Sequence, residues 1–341
     1  MTLQDFLSEW RNDSPRLLVH TSGSTGRPKP LWVEKRRMLD SARITCDFLG
    51  LKAGDTALLC MPLDYIAGKM VVVRSIERRL HLLSVPPSGH PLSDSSLSRL
   101  PDPDGEITFA AMVPLQVYNS LQIPEEHERL RCIRHLIIGG GAIDERLAEA
   151  LHDFPHAVWS TYGMTETLSH IALRRLNGPD DSDWYRPFDG VKTRLDSDGC
   201  LVIDAPAVCP GTLVTNDRAE LRSYGRQDNA TASCFRILGR KDNVIDSGGI
   251  KIQIEEVENR LRPILTGGFA ITSCPDEQFG EAVVLLTTQT DTCAVKALCR
   301  QCLPKYWQPR HIFHTATIPQ TDTGKPARAE IKAVSLRLYK N

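Results

Sequence analysis

The sequence predicts an α/β protein: a large N-terminal α/β domain carrying a β-rich subdomain, followed by a small C-terminal α+β domain. Three observations predict it. Short apolar runs alternate with helix-length amphipathic segments over the first half of the chain, the rhythm of strands linked by crossover helices. From about Leu195 to Leu238 the pattern shortens to strands divided by turns such as Ser197-Asp198-Gly199 and Pro210-Gly211. A chain of 341 residues also exceeds what one core ordinarily organises.

The elements follow in order. Ala57 to Met61 reads as a strand, Gly68 to Arg79 as a helix and Leu82 to Val85 as the next strand. Ile107 to Met112, His135 to Ile138 and Ala157 to Ser160 repeat the strand pattern at helix-length intervals. Ile138 runs into Gly139-Gly140-Gly141, a tight loop before a helical pattern over Arg146 to His152. In the C-terminal part, Ile254 to Leu261 and Ala294 to Cys302 read as helices, and Phe269 to Ser273 and Ala282 to Thr287 as strands. These form a unit of ordinary domain size. Arg240-Lys241-Asp242 is taken as the boundary, giving residues 1–240 and 241–341.

A net charge of -1 and a pI near 6.8 give no bulk electrostatic reason for nucleic acid or a membrane surface as partner, so a small molecule is expected. The chain has no run of eighteen apolar residues and its first residues lack a basic-then-apolar leader, so a cytoplasmic location is expected. The ten cysteines are expected reduced and mostly buried. Cys299 and Cys302 make a C-x-x-C, but a single such pair on a helical stretch is weak grounds for zinc.

The chemistry concentrates in short motifs. Thr21-Ser22-Gly23-Ser24-Thr25-Gly26-Arg27-Pro28-Lys29 sets hydroxyls, glycines and cations directly after the apolar run Leu17-Leu18-Val19. Exposed backbone N–H groups, hydroxyl donors and a terminal lysine suit the phosphate tail of a nucleotide. The spacing is not that of a P-loop, and alone the stretch fits a polar turn equally well. In Tyr162-Gly163-Met164-Thr165-Glu166-Thr167, expected just beyond a strand end near Ser160-Thr161, Tyr162 offers a stacking face. Thr165 offers a donor to a phosphate oxygen and Glu166 a hard ligand for Mg²⁺. Alone, that string equally fits a capped helix start. Gly139-Gly140-Gly141-Ala142 would let a planar ring approach the backbone, or simply turn the chain. Asp217, after the run ending in Val214, is a candidate acceptor for ribose hydroxyls or a plain turn residue. Arg240 sits at the boundary, and Lys325 follows Gly324 on a loop from which it could swing into a site.

Taken together, in this order, the motifs resemble those of the adenylate-forming acyl-CoA synthetase superfamily, over nearly the whole chain from His20 to Arg328. The resemblance implies an ATP-dependent acid-thiol ligase with ATP, Mg²⁺ and the co-substrate coenzyme A, and a C-terminal domain that rotates between two half-reactions. It implies that Thr21 to Lys29 holds the pyrophosphate portion of ATP, that Gly140, Gly141 and Ala142 border the adenine and acyl pocket, and that Tyr162 with Gly163 stacks on adenine. Thr165 would contact the α-phosphate and Glu166 would hold Mg²⁺. Asp217 and Arg240 would bind ribose, Asp242 would be the hinge, and Lys325 would bridge the carboxylate and the α-phosphate. Gly248 and Gly249, in Asp246-Ser247-Gly248-Gly249, would line the CoA tunnel.

Within the superfamily, Pro62-Leu63-Asp64-Tyr65-Ile66-Ala67-Gly68-Lys69-Met70 and Asn243-Val244-Ile245-Asp246-Ser247-Gly248-Gly249 look most like the o-succinylbenzoate-CoA ligases of menaquinone biosynthesis. Such a substrate carries a second carboxylate, whose burial needs a cation or several donors. Lys69 and Arg74 lie on the segment that borders the acyl pocket in relatives; Lys69 is the expected receptor, against the alternative of a solvated helix residue. Tyr65 stands where relatives often have a histidine, Thr-Asn-Asp replaces the usual Thr-Gly-Asp, and the phosphate loop begins at residue 21, far earlier than in relatives. A homodimer is compatible with the resemblance. The alternatives are another carboxylate, a carrier-protein acceptor, or a nucleotide-binding relative without turnover.

Overall fold

The computed structural model describes residues 1–20, 30–99, 107–141, 143, 145–225, 231–321 and 325–340. The chain opens with α1 (Leu3–Arg11), whose Thr2 side chain accepts from the Asp5 N–H while Asp5 accepts from the Thr2 N–H, a reciprocal cap. β1 (Arg16–His20) and β2 (Pro30–Glu34) pair antiparallel, with His20 opposite Pro30. The expected phosphate loop, residues 21–29, and Ala142 lie outside the described residues; the β1–β2 ladder brings the two ends of that loop side by side.

α2 (Lys35–Leu49) leads into the main sheet. Its strands are β3 (Thr56–Leu59), β4 (His81–Ser84), β5 (Phe109–Met112), β6 (His135–Ile138), β7 (Ala157–Met164), β8 (Ser169–Arg175) and β9 (Arg186–Pro187), in the spatial order β4-β3-β5-β6-β7-β8-β9. The first five in that order are parallel; β8 and β9 run antiparallel. The connections carry α3 (Ile66–Arg78), α4 (Pro114–Ser120), α5 (Pro124–Arg131) and α6 (Glu145–Leu151). The inner strands are apolar on both faces, as Phe109–Met112 is buried throughout, because helices and loops cover both sides of a parallel sheet. The turn-rich segment forms a four-stranded meander, β10 (Lys192–Leu195), β11 (Cys200–Asp204), β12 (Leu213–Gly225) and β13 (Thr231–Arg240). It shares one apolar core with the main sheet: Leu201, Ile203 and Phe235 belong to the same cluster as Phe109 and Leu136.

The remaining chain builds its own sheet from β14 (Val244–Ser247), β15 (Ile250–Gln253), β16 (Phe269–Asp276), β17 (Gly280–Thr287) and β18 (His311–His314), with α7 (Ile254–Leu261), α8 (Thr292–Cys302) and α9 (Arg328–Lys340). Two separate apolar clusters fill it: Ile252, Val257, Leu261 and Leu285 in one, Ala270, Val284 and Ile331 in the other. These residues alternate along β16 and β17 and so face opposite sides of the sheet. Cys299 is buried on α8, and the Cys302 thiol donates to the Leu298 carbonyl at 3.1 Å. Among the described residues no group of three or more His, Cys, Asp or Glu side chains could hold a metal ion, and no helix is long and apolar enough to cross a membrane.

α9 is tied to α7 by a two-pronged ion pair. Arg328 Nη1 and Nη2 donate to Glu258 Oε1 and Oε2, each at 2.7 Å, and the Ile271 N–H also donates to Glu258. Glu258 is buried, so deleting the cation alone strands a carboxylate. We expect Arg328→Met to destabilise the C-terminal unit by about 3 to 5 kcal/mol in urea unfolding, and Glu258→Gln combined with it to restore part of that loss.

Candidate active site

The site begins with a register. β12 and β13 pair so that Asp217 lies directly opposite Arg240. Arg240 Nη1 donates to Asp217 Oδ1 at 3.4 Å, and its Nη2 donates to Asp242 Oδ2 at 2.9 Å, in the 3₁₀ turn Lys241–Asn243. From the main sheet, the Tyr162 hydroxyl donates to Asp217 Oδ2 at 2.6 Å. Burial pushes the Tyr162 phenol well above its usual value, and the Asp217 charge adds to that, so the hydroxyl stays a donor. Its ring packs edge-on against Phe235, centroids 5.0 Å apart, and near Tyr185 at 5.8 Å. The aromatic group thereby couples the main sheet to the meander.

The turn after Tyr162 differs from the expectation. β7 continues through Met164 because β8 returns beside it, with Met164 opposite Ser169, so Tyr162 lies inside a strand rather than beyond its end. The register slips between Tyr162 and Gly163. A side chain at Gly163 would meet the Ser169 carbonyl oxygen at 2.1 Å, so only glycine fits this close crossing. Thr165–Thr167 is one 3₁₀ turn and not a helix start: Thr165 is buried and Glu166 exposed.

Lys325 comes from the far end of the chain. Its loop closes on itself, the Thr321 N–H donating to the Lys325 carbonyl at 2.8 Å and the Lys325 N–H to Thr321 Oγ1 at 3.2 Å. Burial holds its ammonium below the ordinary lysine value; the Asp217 charge opposes that shift and the Arg240 charge reinforces it. Lys325, Asp217, Arg240 and Tyr162 therefore share one electrostatic neighbourhood although they are spread from residue 162 to residue 325. Gly140 and Gly141 lie exposed at the end of β6, the strand next to β7.

Other expected site residues go elsewhere. Gly248 and Gly249 form the two-residue turn between β14 and β15, with φ of 62° and 82°, the pairing of positive φ values that a tight hairpin requires. A side chain at Gly248 would also meet the Phe279 ring at 2.7 Å. Tyr65 is the half-buried N-cap residue of α3. Lys69 is neither solvated nor presented to the cluster above. It is 2% exposed, and its ammonium donates to the Leu63 carbonyl at 2.6 Å and lies 5.4 Å from the centre of the Phe6 ring of α1. Burial lowers its pKa, while Glu9 and Asp64 act in the other direction.

One turn and a half along α3, Arg74 is 1% exposed and, among the described residues, has no carboxylate partner. Its Nη2 donates to Ser169 Oγ at 2.9 Å and to Thr45 Oγ1 at 3.4 Å, while its buried Nε has no partner. Burial lowers its pKa to about 10, against a weak opposing influence from Cys46. Ser169 directly follows the Thr165–Leu168 turn, so this lone buried cation sits behind the expected phosphate contact. Sequence reasoning passed over Ser169. The signal for Arg74 was a cation closing the apolar run Met70-Val71-Val72-Val73.

With this geometry in place, the family can be stated. The signature of the AMP-binding enzymes matches residues 4–214. The chain belongs to that family. A 2-succinylbenzoate--CoA ligase of Bacillus cytotoxicus is 24% identical over 347 residues, covering 92% of this chain and 69% of the relative. Its counterpart in Geobacillus kaustophilus is 26% identical over 344 residues, with 92% and 68% covered. Among solved structures, an acyl-CoA synthetase (AMP-forming)/AMP-acid ligase II-like protein from Dyadobacter fermentans matches with a TM-score of 0.61 and 31% identity, covering 96% of this chain and 91% of that one. O-succinylbenzoate coenzyme A synthetase (MenE) of Bacillus subtilis, solved in complex with ATP and magnesium ion, matches with a TM-score of 0.71 and 22% identity, covering 92% of this chain and 69% of that one. The expected two-part α/β architecture is thus that of known adenylate-forming enzymes.

The Lys325 environment predicts a pH profile. A lysine with a lowered pKa loses its charge earlier as pH rises, and Asp217 is the neighbour that keeps the charge on. We expect Asp217→Asn to move the alkaline fall of kcat/KM for ATP to lower pH, beyond any loss in its height. Pyrophosphate exchange measured across pH in wild type and variant checks this.

Proposed function

We propose that this member of the AMP-binding family is an AMP-forming carboxylate-CoA ligase acting in the cytoplasm. In the first half-reaction a carboxylate oxygen of the acid attacks the α-phosphorus of ATP, the bond to the β-phosphate bridging oxygen breaks, and pyrophosphate leaves. In the second, the CoA thiol sulfur attacks the acyl carbon, AMP leaves, and the thiol proton is given up. The observation that carries this reading is the convergence of Tyr162, Asp217, Arg240 and Lys325. A nucleotide monophosphate bound there would meet an aromatic ring, a carboxylate for its ribose hydroxyls and two cations.

The roles follow from the chemistry of each group. Asp217 accepts from the ribose hydroxyls, with Arg240 holding it in place. Tyr162 borders the base with Gly140 and Gly141. Lys325 neutralises charge between the attacking carboxylate and the α-phosphate, which is where a cation lowers the barrier most. Thr165 donates to a phosphate oxygen, and residues 21–29 hold the departing pyrophosphate. Glu166, an exposed carboxylate on the turn beside Thr165, fits as the protein ligand of magnesium. The magnesium ion, when bound, neutralises phosphate charge. Asp242 is the proposed hinge, which puts the domain boundary between residues 240 and 241; the apolar clusters on either side of that point share no residue. Rotation about it would withdraw Lys325 and bring the Gly248–Gly249 turn toward the acyl-adenylate.

For the acid, o-succinylbenzoate is the proposed substrate, supported by the relatives' activity and by Arg74. A buried guanidinium without a counter-ion is costly, and a free buried Nε is a donor awaiting an acceptor. The second carboxylate of such an acid would supply both charge and acceptor. The cationic role expected of Lys69 passes to Arg74, because the Lys69 ammonium is already held by Leu63. Pyrophosphate exchange into ATP should appear with o-succinylbenzoate and be reduced by a factor of at least about 100 in Lys325→Ala. Arg74→Met should raise KM for o-succinylbenzoate by about 10- to 100-fold while leaving KM for ATP near wild type. Exchange that is driven equally by benzoate, or that survives in Lys325→Ala, would contradict the substrate and the mechanism respectively.

A further inference from the structure

Behind Arg74 lies a buried histidine that the proposed reaction does not use. His170 on β8 is 6% exposed, and both ring nitrogens are engaged. Nδ1 is 3.2 Å from Ser169 Oγ, and Nε2 is 3.0 Å from Thr45 Oγ1 on α2. Thr45 Oγ1 in turn reaches the Ser41 carbonyl at 3.1 Å, and Ser169 Oγ accepts from Arg74 Nη2 at 2.9 Å. The side chain of Phe188 packs against the imidazole, ring centres 5.6 Å apart.

One direction satisfies every contact of this chain. The Ser41 carbonyl can only accept, and in this direction the single hydroxyl proton of Thr45 goes to it. Thr45 Oγ1 is then an acceptor toward His170, and Nε2 must carry the ring proton. Nδ1 is left as an acceptor, and the Ser169 hydroxyl donates to it. The Ser169 oxygen thereby turns its lone pairs to Arg74. The opposite tautomer would leave the Ser169 proton with no acceptor among the contacts of this group. Burial, reinforced by the Arg74 charge, keeps the imidazole neutral, holding its pKa well below the ordinary value, so the count holds across the working pH range.

We propose that His170 is a positioning residue for acid selection: through the relay Ser41–Thr45–His170–Ser169 it holds the Arg74 guanidinium in the one orientation that leaves Nε free for the second carboxylate of the substrate. This rests on the reading of Arg74 as carboxylate receptor. The relay runs from α2 to β8 and shares no residue with the cluster of Tyr162, Asp217, Arg240 and Lys325, so its effect falls on which acid is accepted rather than on ATP affinity. Donors fixed in advance by neighbours spare the ordering cost that a mobile cation would incur on binding.

Two measurements test it. Nitrogen-15 NMR of the imidazole in the ligand-free protein should show a protonated Nε2 and an unprotonated Nδ1 for His170; a protonated Nδ1 overturns the relay. Steady-state kinetics should show His170→Leu raising KM for o-succinylbenzoate about tenfold with KM for ATP unchanged, and adding nothing further in an Arg74→Met background. A purely structural role would shift both KM values and kcat together, and independent effects of the two substitutions would likewise overturn the proposal. Thr45→Val, which removes the anchoring hydroxyl at nearly constant volume, gives the same readout should His170→Leu fold poorly. If Arg74→Met leaves KM for o-succinylbenzoate unchanged, the receptor reading fails; if it raises KM and both His170→Leu and Thr45→Val do not, the relay alone fails.

Discussion

The carboxylate of Asp217 is the point on which the rest of the site depends. It is set by the β12–β13 register opposite Arg240, receives the Tyr162 hydroxyl from the main sheet, and helps keep the charge on Lys325 from the C-terminal unit. A single half-buried anion thus gathers groups from the main sheet, the meander and the C-terminal unit. The attraction is worth having only where water is excluded, and the aromatic packing of Tyr162, Tyr185 and Phe235 provides that exclusion. The same carboxylate is the proposed ribose acceptor, so the anion that would bind the nucleotide is also the one that acts on Lys325 of the C-terminal unit.

Charge is distributed unequally between the two ends of the proposed ligand. At the nucleotide end cations and anions are paired within the protein, so the site is electrostatically closed before substrate enters. At the proposed acyl end Arg74 is buried with no carboxylate partner among the described residues, and neutral dipoles from Ser169 and Thr45 carry it. A cation held this way costs stability in the empty protein and recovers it when an anion of the right shape arrives. In the proposed acyl pocket that asymmetry would give a chemical preference that apolar packing alone supplies only weakly.

Much of the fold was legible because periodicity survives translation into structure. Ile254–Leu261 and His135–Ile138 end where the sequence pattern ends, and the β-rich stretch after Leu195 is the four-stranded meander. The misplacements have physical causes. β7 runs three residues past Thr161 because an antiparallel partner extends it, and no local pattern announces a partner. Gly248 and Gly249 also serve as the two-residue hairpin between β14 and β15, a backbone role the sequence reading did not assign them. Lys69 read as a surface or pocket cation, and only the packing of α1 over α3 shows it covered.

By itself the sequence determined the family, the order of strands and helices, and which residue types are proposed to handle the nucleotide, because these depend on residue type and spacing along the chain. That Arg74 is buried with no carboxylate partner among the described residues, that both ring nitrogens of His170 are engaged, and that Tyr162, Asp217 and Arg240 meet with Lys325 in their electrostatic neighbourhood were decided by tertiary structure alone. Those facts depend on which neighbours remove water and supply hydrogen-bond partners, and neighbours remote in the chain leave no local imprint on it.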